Sequence, residues 1–151
     1  MATKIVILED NQERRAAMLH CLEDKFYQFE KIFFGEPAGM IDFLKDNLPE
    51  TIAISLDHDL ELIPIPGEKA LDPGTGREVA DYLAQQSPSC PVIIHTSNAN
   101  AGSGMEMILQ DANWETYRVC PCGDLDWIPG QWFRTMRKAI VRSVKEMPKH
   151  G

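Results

Sequence analysis

The segment "ISLDHDLEL", residues 54–62, ends an apolar run on two carboxylates with an imidazole between them. Its upstream part, "TIAISLD" (51–57), is short, apolar and rich in β-branched residues, the pattern of a strand buried on both faces. A plain turn after such a strand would carry Gly, Asn or Ser. Asp57, His58 and Asp59 instead put titratable groups at the tip of a buried strand.

The same alternation extends outward in both directions. "KIVIL" (4–8), "FEKIFFG" (29–35), "CPVIIHT" (90–96) and "WETYRVC" (114–120) have the composition of further strands. Between them lie helical patterns. "QERRAAMLHCLEDKF" (12–26) follows a possible cap at Asn11 and repeats Met18, Leu19, Leu22 and Phe26 at helical spacing. A second helix begins near Pro37, with Met40, Phe43, Leu44 and Leu48 on its apolar face. Thr75 with Glu78 forms a capping box ahead of Val79, Tyr82 and Leu83, and Ser103 with Glu106 forms another ahead of a short helix with Met105, Ile108 and Leu109. A last helix carries Phe133, Met136, Ile140, Val144 and Met147. "HDLELIPIPGEKALDPG" (58–74) and "SNANAGSG" (97–104) are expected to be loops. Five strands alternating with five helices predict an α/β fold, a doubly wound five-stranded parallel sheet with helices on both faces, in a single domain spanning residues 1–151.

Composition narrows the function. The net charge of -8 repels nucleic acid and anionic membranes, so DNA duplex binding and a membrane role are not expected. The basic stretch 134–145 has the spacing of a solvated helix face. No apolar run approaches the ~20 residues of a membrane span, and "MATKIVILEDN" is a strand start rather than a secretory signal, so a cytoplasmic location is expected. Cys120 and Cys122 are separated by one residue, not the two of a zinc knuckle or redox motif, and all four cysteines are expected to be reduced.

In open parallel sheets, ligands bind beyond the carboxyl ends of the strands, where the strand order reverses. In the order 2-1-3-4-5, the first, third and fourth strands are neighbours. Their tips carry Glu9-Asp10, Asp57-His58-Asp59 and His95-Thr96-Ser97-Asn98. Close carboxylates repel unless some take up protons or a hard divalent cation neutralises them. Mg²⁺ or Mn²⁺ held by Asp10 and Asp57, with Glu9 or Asp59, is therefore expected. Thr96, Asn98 and Arg118 would hold a phosphate, aided by N–H groups of the turns near Gly74–Gly76 and Gly102–Gly104. His58 and His95 are the candidate general base and acid. The plainer alternatives are that Asp10 or Asn11 only caps the next helix and that His95 is a hydrogen-bonded structural residue.

"IVILEDNQERR", "IAISLD" and "PVIIHTS" resemble the receiver domain of two-component response regulators. The resemblance covers nearly the whole chain and implies the flavodoxin-like order 2-1-3-4-5. It also implies that Glu9 and Asp10 are the metal-binding acid pair, Asp57 the phosphoacceptor, Thr96 the hydroxyl after the fourth strand, and Gly76 the glycine before the third helix. One departure is the missing lysine of the fifth strand: "RVCPCG" puts Cys120 before Pro121, with Arg118 two residues earlier on the same face. "LDHDL", "TGREVADYL" and "HTSNANAGSGMEMIL" are similar to cyclic-phosphate-processing receiver domains. That resemblance implies metal-dependent chemistry on a cyclic phosphate ester, with a phosphate-containing small molecule or a nucleotide end as partner. The alternatives are a receiver phosphorylated on Asp57 in a phosphorelay, with a signalling protein partner, and a pseudo-receiver that only binds proteins.

Overall fold

The computed structural model describes residues 2–146, so Met147 and His150 lie outside the described residues. Five strands form one parallel sheet: β1 (Lys4–Leu8), β2 (Glu30–Phe34), β3 (Thr51–Leu56), β4 (Val92–His95) and β5 (Thr116–Val119). Their order is β2-β1-β3-β4-β5. The order reverses beside β1, so the tips of β1, β3 and β4 are adjacent.

Strand periodicity sorts the core into two layers. Ile5 and Ile7 of β1, Ala53 of β3 and Ile93 of β4 pack with α1 (Gln12–Lys25) and α5 (Phe133–Glu146). Val6, Leu8, Ile54, Leu56, Val92 and Ile94 pack against α2 (Pro37–Asn47), α3 (Gly76–Ala84) and α4 (Ala99–Asp111). The same alternation aims the polar tips. Glu9, Ser55, Asp57 and His95 continue the α1/α5 face, while Thr96 continues the opposite one.

Local signals account for most helix starts. Asn11 Oδ1 accepts from Arg14 N at 2.9 Å and caps α1. Thr75 N donates to Glu78 Oε2 at 2.9 Å at the start of α3. The strands are shorter than their apolar runs. Trp114, expected in the fifth strand, lies before it and plugs the core with Nε1 donating to Leu83 O at 2.9 Å.

Helix α4 departs from the expectation of a loop over 97–104. It begins at Ala99, and Asn98 caps it by accepting from Ala101 N at 3.1 Å. An Asx cap with four free N–H groups ahead of it outcompeted the later Ser103 signal. Gly102 and Gly104 are therefore inside a helix and are not anion-facing turns. Gly102 leaves room for the Arg118 side chain, because a Cβ there would come within 2.6 Å of Arg118 Nη2.

Residues 58–75 are irregular apart from one antiparallel bridge, Ile63 with Leu71. Before α5, the chain makes a wide π-type turn over Ile128–Trp132 that drives Trp132 fully into the core. Among the described residues, no helix is long and apolar enough to cross a membrane.

Candidate functional site

Three side chains converge where the sheet order reverses. A carboxylate oxygen of Glu9, one of Asp57 and a ring nitrogen of His95 all lie within 4.8 Å of one another. Glu9 and His95 are fully buried, and Asp57 is 6% exposed. Glu9 Oε2 accepts from Asn11 N at 3.1 Å. Its other oxygen, Oε1, lies 3.2 Å from His95 Nε2. The two atoms are too poorly aligned for a hydrogen bond, and neither has another hydrogen-bond partner. Asp57 Oδ1 accepts from His58 N at 2.7 Å.

The far side of His95 is fixed by a buried chain of contacts. His95 Nδ1 is 2.7 Å from Ser55 Oγ, and Trp132 Nε1 donates to the same oxygen at 3.0 Å. Trp127 stacks beside the imidazole at 6.0 Å between centroids.

Positive charge reaches the site from α1. Arg14 Nη1 lies 3.6 Å from Glu9 Oε1 and 3.8 Å from Asp57 Oδ2. Its guanidinium also rests over the Trp127 ring, 5.3 Å from the centroid, which holds it against the acids.

These surroundings split the two carboxyls. Burial pushes Asp57 up, and although His95 and Arg14 oppose this, the Glu9 charge adds to it, leaving Asp57 at about 6. Burial also raises Glu9, but the His95 contact, the Asn11 N–H and Arg14 together bring it below the usual carboxylate range. Without a cation, Asp57 thus gives up its proton at a higher pH than Glu9 does.

The other predicted residues are placed around this group. Asp10 is at the same sheet edge, and its Oδ2 accepts from Glu61 N, which ties it to the 58–75 segment. Asp59 Oδ1 is 2.8 Å from His58 Nδ1, and the His58 side chain is 17% exposed. Thr96 is buried, and its Oγ1 accepts from Asn98 N at 3.1 Å. The Asn98 oxygen is engaged as the α4 cap. Arg118 reaches Ser103 Oγ at 3.3 Å with Nη1, and its buried Nε has no partner. Cys120, just after β5, is exposed.

Sequence reasoning missed Arg14, Ser55, Trp127 and Trp132. Ser55 had a signal: it is the one hydroxyl in the interior of an otherwise apolar strand. Arg14 sits one turn into the helix that follows the acid pair, within reach of both acids. The tryptophans carried no signal, because their placement depends on the π-type turn.

The family model described as the cyclic-phosphate processing receiver domain matches residues 4–111. No curated protein matches the chain. Among solved structures, the phosphorylated cyanobacterial phytochrome response regulator RcpA superposes with a TM-score of 0.68 at 16% identity, covering 93% of this chain and 95% of that one. The signal receiver domain of a LuxO repressor protein from Vibrio parahaemolyticus gives 0.62 at 16% identity, over 98% and 100%. The Mn²⁺-bound form of response regulator Rcp1 gives 0.63 at 17% identity, over 99% of each chain. At these identities the structural likeness speaks for the fold.

Proposed function

Because the chain belongs to the cyclic-phosphate processing receiver domains, a receiver family of the response-regulator type, we propose that it is a metal-dependent phosphoesterase that opens a cyclic phosphate ester at the β1/β3/β4 edge. The observation that carries this reading is the convergence of Glu9, Asp57 and His95 with Arg14 alongside. The residues fit a divalent cation: two fully buried polar atoms, Glu9 Oε1 and His95 Nε2, face the same space without a partner. Mg²⁺ or Mn²⁺ would be held by Glu9 and Asp57. When bound, it neutralises the carboxylates and polarises a phosphate oxygen.

The chain's own residues do the rest. Arg14 takes a phosphate oxygen, with Thr96 and Arg118 on the opposite side of the β4 tip. Asp59 holds His58 through Nδ1 and leaves Nε2 free to remove a proton from water. The water oxygen bonds to phosphorus, one ring P–O bond breaks, and the leaving oxygen takes the proton that Nε2 returns. His95 has no solvent-facing edge, so the acid–base work falls to His58.

The second reading keeps Asp57 as a phosphoacceptor, and it is favoured by the placement of Asp57 at the β3 tip beside Arg14. The signalling partner would then be a phosphodonor protein. The two readings separate in one assay. The purified protein is incubated with Mg²⁺ or Mn²⁺ and a panel of nucleotide, RNA-end and small-molecule cyclic phosphates, and in parallel with acetyl phosphate. Metal-dependent ring opening of a panel member supports the esterase. Stable labelling at Asp57 with no ring opening rules it out.

A further inference from the structure

We propose that His95 is itself a metal ligand through Nε2, and that the centre formed by Glu9, Asp57 and His95 is built for a borderline transition-metal ion such as Co²⁺ or Zn²⁺ in preference to Mg²⁺. The inference rests on reading this edge as a cation site, though not on the ester chemistry.

Three observations lead there. The first is the donor set. Two carboxylate oxygens and one imidazole nitrogen lie within 4.8 Å of one another, all in buried residues. Carboxylates and water satisfy Mg²⁺, whereas an imidazole donor favours the later first-row ions.

The second is the pair of unpartnered atoms. His95 Nε2 and Glu9 Oε1 are fully buried and 3.2 Å apart, yet not aligned with one another. Buried polar atoms are nearly always hydrogen-bonded. A cation between them would partner both.

The third is the support behind the ring. A ligating histidine commonly fixes its other nitrogen on a protein acceptor. Here Nδ1 meets Ser55 Oγ at 2.7 Å, and Trp132 Nε1, which can only donate, holds that oxygen at 3.0 Å. The hydroxyl oxygen has a second lone pair for the Nδ1–H. With the proton on Nδ1, the Nε2 lone pair is left facing the two acids. Trp127 stacks on the ring and limits its rotation. A general acid or base needs contact with substrate or water; a fully enclosed imidazole held at Nδ1, with Nε2 facing the acids, is placed for ligation.

The test reads binding, not turnover. Apoprotein is titrated with Co²⁺, Mn²⁺, Zn²⁺ and Mg²⁺, following heat of binding and the metal-induced rise in melting temperature, with the visible absorption of Co²⁺ as the coordination readout. Expected for the wild type is at least ~100-fold tighter binding of Co²⁺ or Zn²⁺ than of Mg²⁺. His95→Gln should lose most of that preference and shift the Co²⁺ spectrum, while Mg²⁺ affinity changes little. Ser55→Ala keeps the ligands but frees the ring, and should weaken Co²⁺ binding ~10- to 100-fold. If His95→Gln fails to fold, the wild-type selectivity and Ser55→Ala still decide. Equal wild-type affinity for Mg²⁺ and Co²⁺, or a Co²⁺ spectrum unchanged in a folded His95→Gln, overturns the histidine ligand and leaves the Mg²⁺-dependent esterase intact. No binding of any cation overturns both.

Discussion

Arg14 on the first helix lies 3.8 Å from Asp57 at the end of the third strand. The cation facing the candidate phosphate position thus comes from α1, while the residue just after β5 is an exposed cysteine, Cys120. A guanidinium presents a fork that can grip two phosphate oxygens, which an ammonium cannot. Arg14→Ala is therefore expected to weaken inorganic phosphate binding to the metal-loaded protein by at least ~10-fold, the scale of one charged hydrogen bond. Arg14→Lys should recover part of it. Calorimetry at saturating Mn²⁺ is the measurement, and unchanged affinity in Arg14→Ala would remove this residue from the phosphate site.

Asp57 predicts a dependence on pH. Its carboxyl titrates at about 6 in the folded chain against an ordinary value of 3.8. The folded state therefore binds the proton more tightly than the unfolded state. The stability this gives is fully present below about pH 4 and is lost as pH rises through about 6. Above that, the ionised group costs about 3 kcal/mol at 1.36 kcal/mol per pKa unit. Asp57→Asn should raise the melting temperature of the chelated protein at pH 7 to 8, and that advantage should fade towards pH 4. A mutant no more stable than wild type at pH 8 would show that Asp57 is already relieved by its neighbours. Adding metal to the wild type should remove the same penalty, and the added stability should shrink as protons compete below pH 6.

Two glycines near the site are expected to behave differently. A Cβ on Gly76 would fall 1.8 Å from the backbone oxygen of Asp57, which cannot yield without moving the β3 tip. Gly76→Ala should destabilise the fold by about 3 kcal/mol or more and impair metal binding with it. On Gly102 the obstruction is the end of the Arg118 side chain at 2.6 Å, with Thr96 Cγ2 at 2.9 Å. Alanine also gains ~1 kcal/mol over glycine in a helix interior. Gly102→Ala should therefore leave the melting temperature near that of wild type while displacing Arg118 and lowering phosphate affinity. Urea melts together with phosphate titration separate the two cases.

These contrasts follow the line between what the sequence carries and what it does not. The strands and most helices were legible, since buried strands and capped amphipathic helices are local patterns, while the sheet order rested on the resemblance to receiver domains. Glu9, Asp57 and His95 were legible as strand tips for the same reason. Their grouping was not. Asp10 was expected to share a cation with Asp57; a contact 51 residues away in the chain, with Glu61 N, engages its Oδ2 and was not foreseen. Asn98 was expected on phosphate; its oxygen also caps α4, a role read only once the helix start is known, and its amide NH2 is left for an anion. Arg14, Trp127 and Trp132 were missed because their roles arise where α1, the π-type turn and β3 meet, which no window of sequence contains.

His58 separates an enzyme from a receiver. A receiver needs its aspartate and a cation, and its phosphodonor supplies the rest. It gains nothing from an imidazole next to the phosphoacceptor, held at 2.8 Å by a neighbouring carboxylate. Opening a cyclic phosphate requires a base for water and a proton for the leaving oxygen. On the proposed esterase reading, His58, mostly covered at the strand tip with Nδ1 fixed on Asp59, supplies both through Nε2. Proton transfer by a positioned side chain is worth ~100- to 10,000-fold. His58→Ala is thus expected to lower metal-dependent ring opening by at least ~100-fold while the metal-induced rise in melting temperature stays close to that of wild type. Asp59→Asn, which keeps the imidazole but weakens its orientation, should lose less, roughly 10-fold on the scale of one misplaced hydrogen bond. Both variants should still be labelled by acetyl phosphate if Asp57 accepts phosphoryl groups at all. Ring opening that survives His58→Ala undiminished would take the acid–base role away from this residue.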